Sequence, residues 1–378
     1  MTVFIEPFRN PNEHMTFLLS LFYGELAQNK KVVFFSSIGY YNSIPEEFRT
    51  KIEFIEIDSA TSSLDLILKI VKVTVLISNK YQKEVGLKVF LLSSRSYSNL
   101  LLKIYSLFFN KRVSLFVFLH GELQNLVSKE SISHLLDGLM QTLLYKFDSI
   151  FKTNLKFVII SEFVYQKLCK SVGSGLPNFI SVDLPYHYGK RRNLEAIEIS
   201  RRLSISTVGV NSFNKNSHYL NNIAENFTKE IINGKLKLSI IGRNENIKFH
   251  KFIDVPDLGA NHLLDPDVYA DRILQSDLLV FFNEDNKYNL ISSGSYFDCI
   301  KYRKPMIALK NTQWEYNFDK FGAIGKLFDS VDEMNDFIKD VIENKNLIFS
   351  YNEKLDQARK NTDIICNIEK YSNKFQLK

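Results

Sequence analysis

Cysteine, tryptophan and proline are scarce in this chain, and it has no long apolar run. The three cysteines, Cys169, Cys299 and Cys366, are scattered over 378 residues, odd in number and without metal-ligand spacing. A disulfide framework and a cysteine-based metal site are thereby excluded, and a reducing compartment is expected. No apolar stretch approaches the roughly 20 residues of a membrane-spanning helix. The opening MTVFIEPFRN begins like a strand and lacks the charged-then-apolar plan of a secretory signal. Internal repeats and low-complexity tracts are missing too. So are a zinc finger, an RNP-type aromatic motif and an arginine-rich arm, which leaves no module for nucleic acid. A cytoplasmic protein is expected.

What is present is an ordinary globular mixture, 45% hydrophobic and 24% charged, in a chain long enough for two cores. The net charge is +6, and 31 Phe and 18 Tyr are present. Residues 1–190 hold 21 Lys+Arg against 16 Asp+Glu, so +5 of the surplus lies in the N-terminal half. A basic, aromatic surface suits an anionic membrane. Its carrier would be LLLKIYSLFFNKR, residues 100–112, where apolar residues alternate with Lys103, Lys111 and Arg112. A buried helix explains the same residues.

Strand-like and helix-like runs alternate throughout. Val3–Ile5, Val32–Phe35, Ile52–Ile57, Val89–Leu92, Ser114–Leu119, Phe157–Ile160 and Phe179–Val182 read as short strands separated by segments of helical length. Residues 186–200, with a Gly and a basic triplet, read as a linker. A second series follows: strands at Leu203–Val208, Leu236–Ile241, Asp277–Phe282 and Met306–Leu309, and helices at Lys215–Ile232, Asp267–Gln275, 330–344 and Asn352 to about Lys374. The expectation is an α/β protein of two doubly wound domains, 1–185 and 201–350, with 351–378 a C-terminal helix that packs back on the first.

Within the second series, YNLISSGSYFDCIKYRKPMIAL (288–309) sets Ser292, Ser293, Gly294 and Ser295 at the start of a helix, with Asp298 one turn in. Small side chains let an anion approach the unpaired N–H groups and positive end of that helix. A simple N-cap and tight turn account for them as well. Two further strand ends carry similar turns: STVGVNSFNKN (206–216), with Gly209, Asn211 and Lys215, and LSIIGRN (238–244), with Gly242 and Arg243. If the strands are neighbours, all three turns emerge on one edge and can hold one diphosphate.

These stretches resemble the nucleotide-sugar domain of GT-B glycosyltransferases, above all the large retaining group of sucrose and glycan synthases. VGVNSFNK matches that group's opening loop, IIGR its next strand end, Tyr269 with SDLLVFF the following strand, and LISSGSYFDCIKYRKPMIA its helix-start motif. FLHGEL (118–123) and VIISEFVYQKL (158–168) extend the resemblance to the first half. It implies two Rossmann-like domains facing across a cleft. The implied activity is metal-independent, cofactor-free transfer of a sugar from a nucleotide-diphosphate donor to a glycan or lipid-linked glycan, as in bacterial capsule or O-antigen synthesis. Asp298 would bind ribose, and interdomain closure would complete the site. The group's paired glutamates fall on Leu290 and Asp298, so the first is missing, and its arginine falls on Val210.

On the first domain the resemblance places His120 at the donor sugar or reacting centre, whereas a histidine satisfied at a turn needs no ligand. The loop after the first strand, EPFRNPNEHMTF, would face the acceptor through Arg9 and Asn10. Glu13 or His14 there could take the acceptor's proton, or simply belong to a helix start. Two other classes fit the same residues: a non-catalytic GT-B-like partner subunit, and a sugar-nucleotide epimerase.

Overall fold

A computed structural model describes the chain apart from residues 8–13, 59, 61, 109–112, 127–131, 152, 173–175, 177, 184–185, 190–201, 259–263, 286–289, 291–292 and 376–378. It forms two units: Met1–His187 with Asn289–Ser292 and Ile364–Lys378, and Tyr188–Tyr288 with Ser293–Asp363.

Apolar runs such as VVFF and VFLL are buried from end to end, which is the signature of strands covered on both faces. In the first unit seven parallel strands result: β1 (Thr2–Glu6), β2 (Val32–Ser36), β3 (Glu53–Glu56), β4 (Lys88–Leu91), β5 (Ser114–Leu119), β6 (Leu155–Ile159) and β7 (Phe179–Ser181). Their order is β3-β2-β1-β4-β5-β6-β7, so the winding reverses between β1 and β4. Phenylalanines fill the core: the Phe4 ring meets Phe22 and Phe90 edge-on at 5.1 and 5.0 Å, and Phe90 meets Phe116 at 5.0 Å. Each such pair adds about 0.5–1.5 kcal/mol beyond its buried area.

The C-terminal segment completes this core. Phe375 lies on Phe90 and Phe116 at 5.1 and 5.5 Å. Tyr371, on the helix Ile368–Lys374, donates to Glu25 Oε1 at 3.3 Å. A Cβ on Gly24 would lie 2.4 Å from the Tyr371 ring, so glycine is what lets the two helices close. The single C-terminal helix expected from sequence is two: Asn352–Thr362 ends where Asp363 turns extended, ψ 129, and the second begins five residues later.

The second unit has six parallel strands: β8 (Leu203–Val208), β9 (Leu236–Ile241), β10 (Ile253–Asp254), β11 (Leu278–Phe281), β12 (Met306–Leu309) and β13 (Gly325–Phe328). Their order is β10-β9-β8-β11-β12-β13, with the reversal between β8 and β11. In open α/β sheets ligands bind beyond the carboxyl ends of the strands at such reversals. No helix among the described residues is long and apolar enough to cross a membrane.

Candidate functional site

At the reversal of the second unit, β9, β8 and β11 stand side by side, so the turns that follow them leave on one edge. The first two turns are laced together past the strands. Gly209 N–H donates to Ile241 O at 2.8 Å, Asn211 N–H to Arg243 O at 2.7 Å, and Glu245 N–H to Asn211 O at 2.8 Å. Gly209 (φ +86) and Gly242 (φ +117) hold backbone conformations that favour glycine. The side chain of Asn211 is spent inside this turn: Oδ1 accepts from Thr207, and Nδ2 donates to Gly209 O at 3.2 Å. Asn211 therefore shapes the loop through its side chain.

Two cations follow. Lys215 ends a short 3₁₀ turn (Phe213–Lys215), and burial holds its ammonium below the usual lysine range, partly offset by Glu245. Its neighbour Asn216 (φ 53) donates through Nδ2 to Phe282 O at 3.3 Å, which ties the turn to the end of β11. Arg243 pairs through Nη2 with Glu245, while its buried Nε has no hydrogen-bond partner. Glu245 thus pairs with Arg243 and acts on Lys215 through its charge, an arrangement that sequence reading did not anticipate. An incoming anion would compete with it.

The third turn leads into the helix Ser295–Tyr302. Gly294 is its N-cap, and Ser293 is buried with its Oγ accepting from Ser295 N–H at 3.4 Å. Asp298 accepts a hydrogen bond from Tyr269 OH at 3.1 Å. Burial raises the Asp298 pKa, against the lowering effects of Lys301 and that tyrosine hydroxyl. Tyr269 lies 29 residues away in sequence, and only the sheet order brings it here. Ser292 lies outside the described residues.

Other carboxylates nearby have structural work. Asp285 accepts from Thr312 N–H at 3.1 Å and Thr312 Oγ1 at 2.6 Å, at the start of another helix. Asp265 of Asp265-Pro266-Asp267, an Asp-x-Asp triplet, caps the helix Pro266–Leu274 by accepting from Asp267 and Val268 N–H. Leu290 is buried, and its N–H donates to Gln124 Oε1 at 3.1 Å.

At the reversal of the first unit, β1, β4 and β5 are neighbours. His120 follows β5, and its Nε2 lies 2.8 Å from Leu92 O. A carbonyl only accepts, so Nε2 carries the proton. The His120 ring meets His14 edge-on at 4.9 Å and Phe17 at 5.3 Å. His14 itself is the left-handed N-cap (φ 54) of the helix Met15–Leu26. Glu6, the last residue of β1, is buried and accepts from Ser93 just past β4. Ser94 Oγ, also buried, has no hydrogen-bond partner. Glu6, read from sequence as the first residue of the loop, ends β1 instead, and Ser93 and Ser94 were not singled out, though small residues at a strand end (LLSSRS) were a usable signal. Arg9, Asn10 and Glu13 lie outside the described residues. Nearer the end of this unit, Asp183 accepts from Glu162 N–H at 2.9 Å, and the His187 ring packs against Tyr23 and Phe48.

No protein-family model matches the sequence, and no curated protein matches it. Solved structures do. Anabaena HepE, determined in complex with UDP and glucose, superposes with a TM-score of 0.65 over 98% of each chain at 12% identity. WaaG, a glycosyltransferase involved in lipopolysaccharide biosynthesis, gives 0.63 over 98% of each chain at 11% identity. The chain has the GT-B fold. A glycosyltransferase from Rickettsia africae gives 0.62 over 98% of this chain and 96% of that one at 13% identity.

Proposed function

We propose that the protein transfers a sugar from a nucleoside-diphosphate donor to a glycan or lipid-linked glycan acceptor. One observation carries this reading. The turns after β8, β9 and β11 leave on one edge of the sheet, and Lys215, Arg243 and the 295–302 helix with Asp298 in its first turn follow those strands. In that seat the diphosphate displaces Glu245 from Arg243, meets Lys215 and takes the N–H groups of the helix start. Asp298, oriented by Tyr269, accepts from ribose hydroxyls. As the glycosidic bond to the donor breaks, charge develops on the departing diphosphate. Lys215, Arg243 and the helix end stabilise it without rearranging, which is electrostatic preorganisation. The donor site needs no further cofactor for this. On the first unit, His120 acts at the donor sugar or reacting centre, with its ring fixed by Leu92 O. His14 or Glu13 takes the proton of the acceptor hydroxyl, and Arg9 and Asn10 contact the acceptor.

The test is release of nucleoside diphosphate from a panel of UDP-, GDP- and dTDP-sugars, with and without glycan acceptors. Acceptor-stimulated release that Lys215→Ala lowers about 10- to 100-fold supports the reading. A second reading, a non-catalytic partner subunit, is favoured by Leu290, a buried apolar residue where the resembling enzymes have a glutamate. Tight nucleotide binding without any turnover would select it.

A further inference from the structure

Three helices of the first unit bury polar side chains beside their apolar ones and expose large apolar side chains to water. Ser63–Lys80, Ser96–Phe108 and Ile132–Ile150 cover one another in a row, the middle one packing against both others. A surface helix normally turns apolar residues inward and polar ones to water. The middle helix buries Leu102 but also Ser98, Asn99, Ser106 and the whole of Lys103, and exposes Tyr97, Leu101 and Ile104. The 132–150 helix buries Leu144 and Tyr145 together with Gln141 and exposes Leu135, Leu136, Leu139 and Leu143. The 63–80 helix buries Leu66, Ile70 and Ile77 together with Thr74 and Ser78 and exposes Leu64, Leu68 and Leu76. With Ile150, eleven large apolar side chains on the three helices are exposed to between 39 and 70%.

Scattered exposed leucines need no explanation, but eleven large apolar side chains on three helices that pack in a row do. Together they present on the order of 1,000 Å² of apolar side chain, against roughly 300–600 Å² for the largest patch of an ordinary monomer. We propose that the face formed by these three helices is the interface of a homodimer, two copies packing it against itself about a two-fold axis. The area favours this occupant. A stable interface removes about 800 Å² from each partner, and obligate homodimer interfaces are larger and more apolar. The charge favours it too. On the described side chains of the three helices the exposed charges are Lys72 and Lys80, and Asp65 pairs with Lys69 at 3.0 Å. Depletion of charge at the centre is the mark of a protein interface. An anionic membrane draws on clusters of exposed cations, each adding about 1 kcal/mol. Of the cations the sequence offered for that purpose, Lys103 is buried with 0% of its surface exposed, and Lys111 and Arg112 lie outside the described residues.

Sedimentation equilibrium of the full chain at micromolar concentration tests the inference. The expected result is a mass twice the 44.0 kDa of the chain. Leu101→Lys with Leu139→Lys, and separately Leu68→Lys with Leu143→Lys, should raise the dimer dissociation constant about a hundredfold or more. Thermal unfolding of the diluted, monomeric protein should not change, because these side chains already face water there. Three results would overturn the inference: a monomeric wild type, a monomeric wild type that floats with phosphatidylglycerol vesicles, or a dimer that both double variants retain.

Discussion

Gly242 is where backbone geometry and the proposed donor seat meet most tightly. Its φ is +117, and a Cβ built on it would lie 2.3 Å from the carbonyl oxygen and 2.9 Å from the carbonyl carbon of Gly209. That carbonyl cannot retreat freely, since Gly209 N–H is held by Ile241 O at 2.8 Å and Asn211 N–H by Arg243 O at 2.7 Å. Gly242→Ala therefore carries about 1–3 kcal/mol of backbone strain and about 1–3 kcal/mol of overpacking against main chain. Partial relief by parting the two loops would move Arg243 and Glu245. A loss of about 2–5 kcal/mol in urea unfolding is expected, with nucleotide affinity falling at least about tenfold in the protein that remains folded. Gly234→Ala is the control: its φ is also positive, at +70, but nothing lies within 4 Å of the added Cβ. It should cost only the strain and leave nucleotide affinity alone. If the two substitutions prove equally costly, or Gly242→Ala binds nucleotide like the wild type, the reasoning about the laced turns is wrong.

Three further outcomes follow from named contacts. Burial holds Lys88 and Lys304 at about 8, below the ordinary 10.5, so each charged ammonium costs stability below pH 8 and that cost is withdrawn as pH rises towards 10.5. Chemical unfolding should show stability rising between pH 8 and 10 by up to about 1.4 kcal/mol per unit for each lysine, with Lys304→Met removing its share of the slope. Tyr269→Phe deletes the hydroxyl that favours ionised Asp298. Calorimetry should then show nucleotide affinity lowered about 10-fold, and its decline on the acid side should begin at higher pH than in the wild type. Phe375→Ala opens the core beside Phe90 and Phe116 and should cost about 3–5 kcal/mol in unfolding, with the nucleotide site of the other unit still loading.

The parallel sheets were legible because their strands are continuous apolar runs such as SLFVFL and LKLSII, bounded by glycine or polar residues. β10, two residues long, and β13, GKLF with an exposed lysine, carry too little pattern to announce themselves. The helix expected over Lys215–Ile232 is interrupted where Asn216 turns left-handed and again at Phe227 (φ −108), although the apolar spacing runs on. Local sequence identified the three small-residue turns, since glycine at a strand end has few other uses. It could not identify what crosses the sheet edge. Glu245 paired with Arg243 and within electrostatic reach of Lys215, Tyr269 on Asp298, and His14 against His120 all depend on strand order. Lys103 lay on a segment the sequence left open between a membrane face and a buried helix, and the helix turns it inward.

The central claim is that the edge of β9, β8 and β11 binds a nucleoside diphosphate. The most direct measurement is a thermal-shift titration with UDP, GDP, CMP and dTDP, run on the wild type, Lys215→Ala and Asp298→Ala. At a hundredfold excess over its dissociation constant, the right nucleotide should add about 2.7 kcal/mol, or about 5–10 °C for a domain of this size, and both substitutions should abolish most of that shift. No shift with any nucleotide, or a shift that both variants keep in full, would contradict the account.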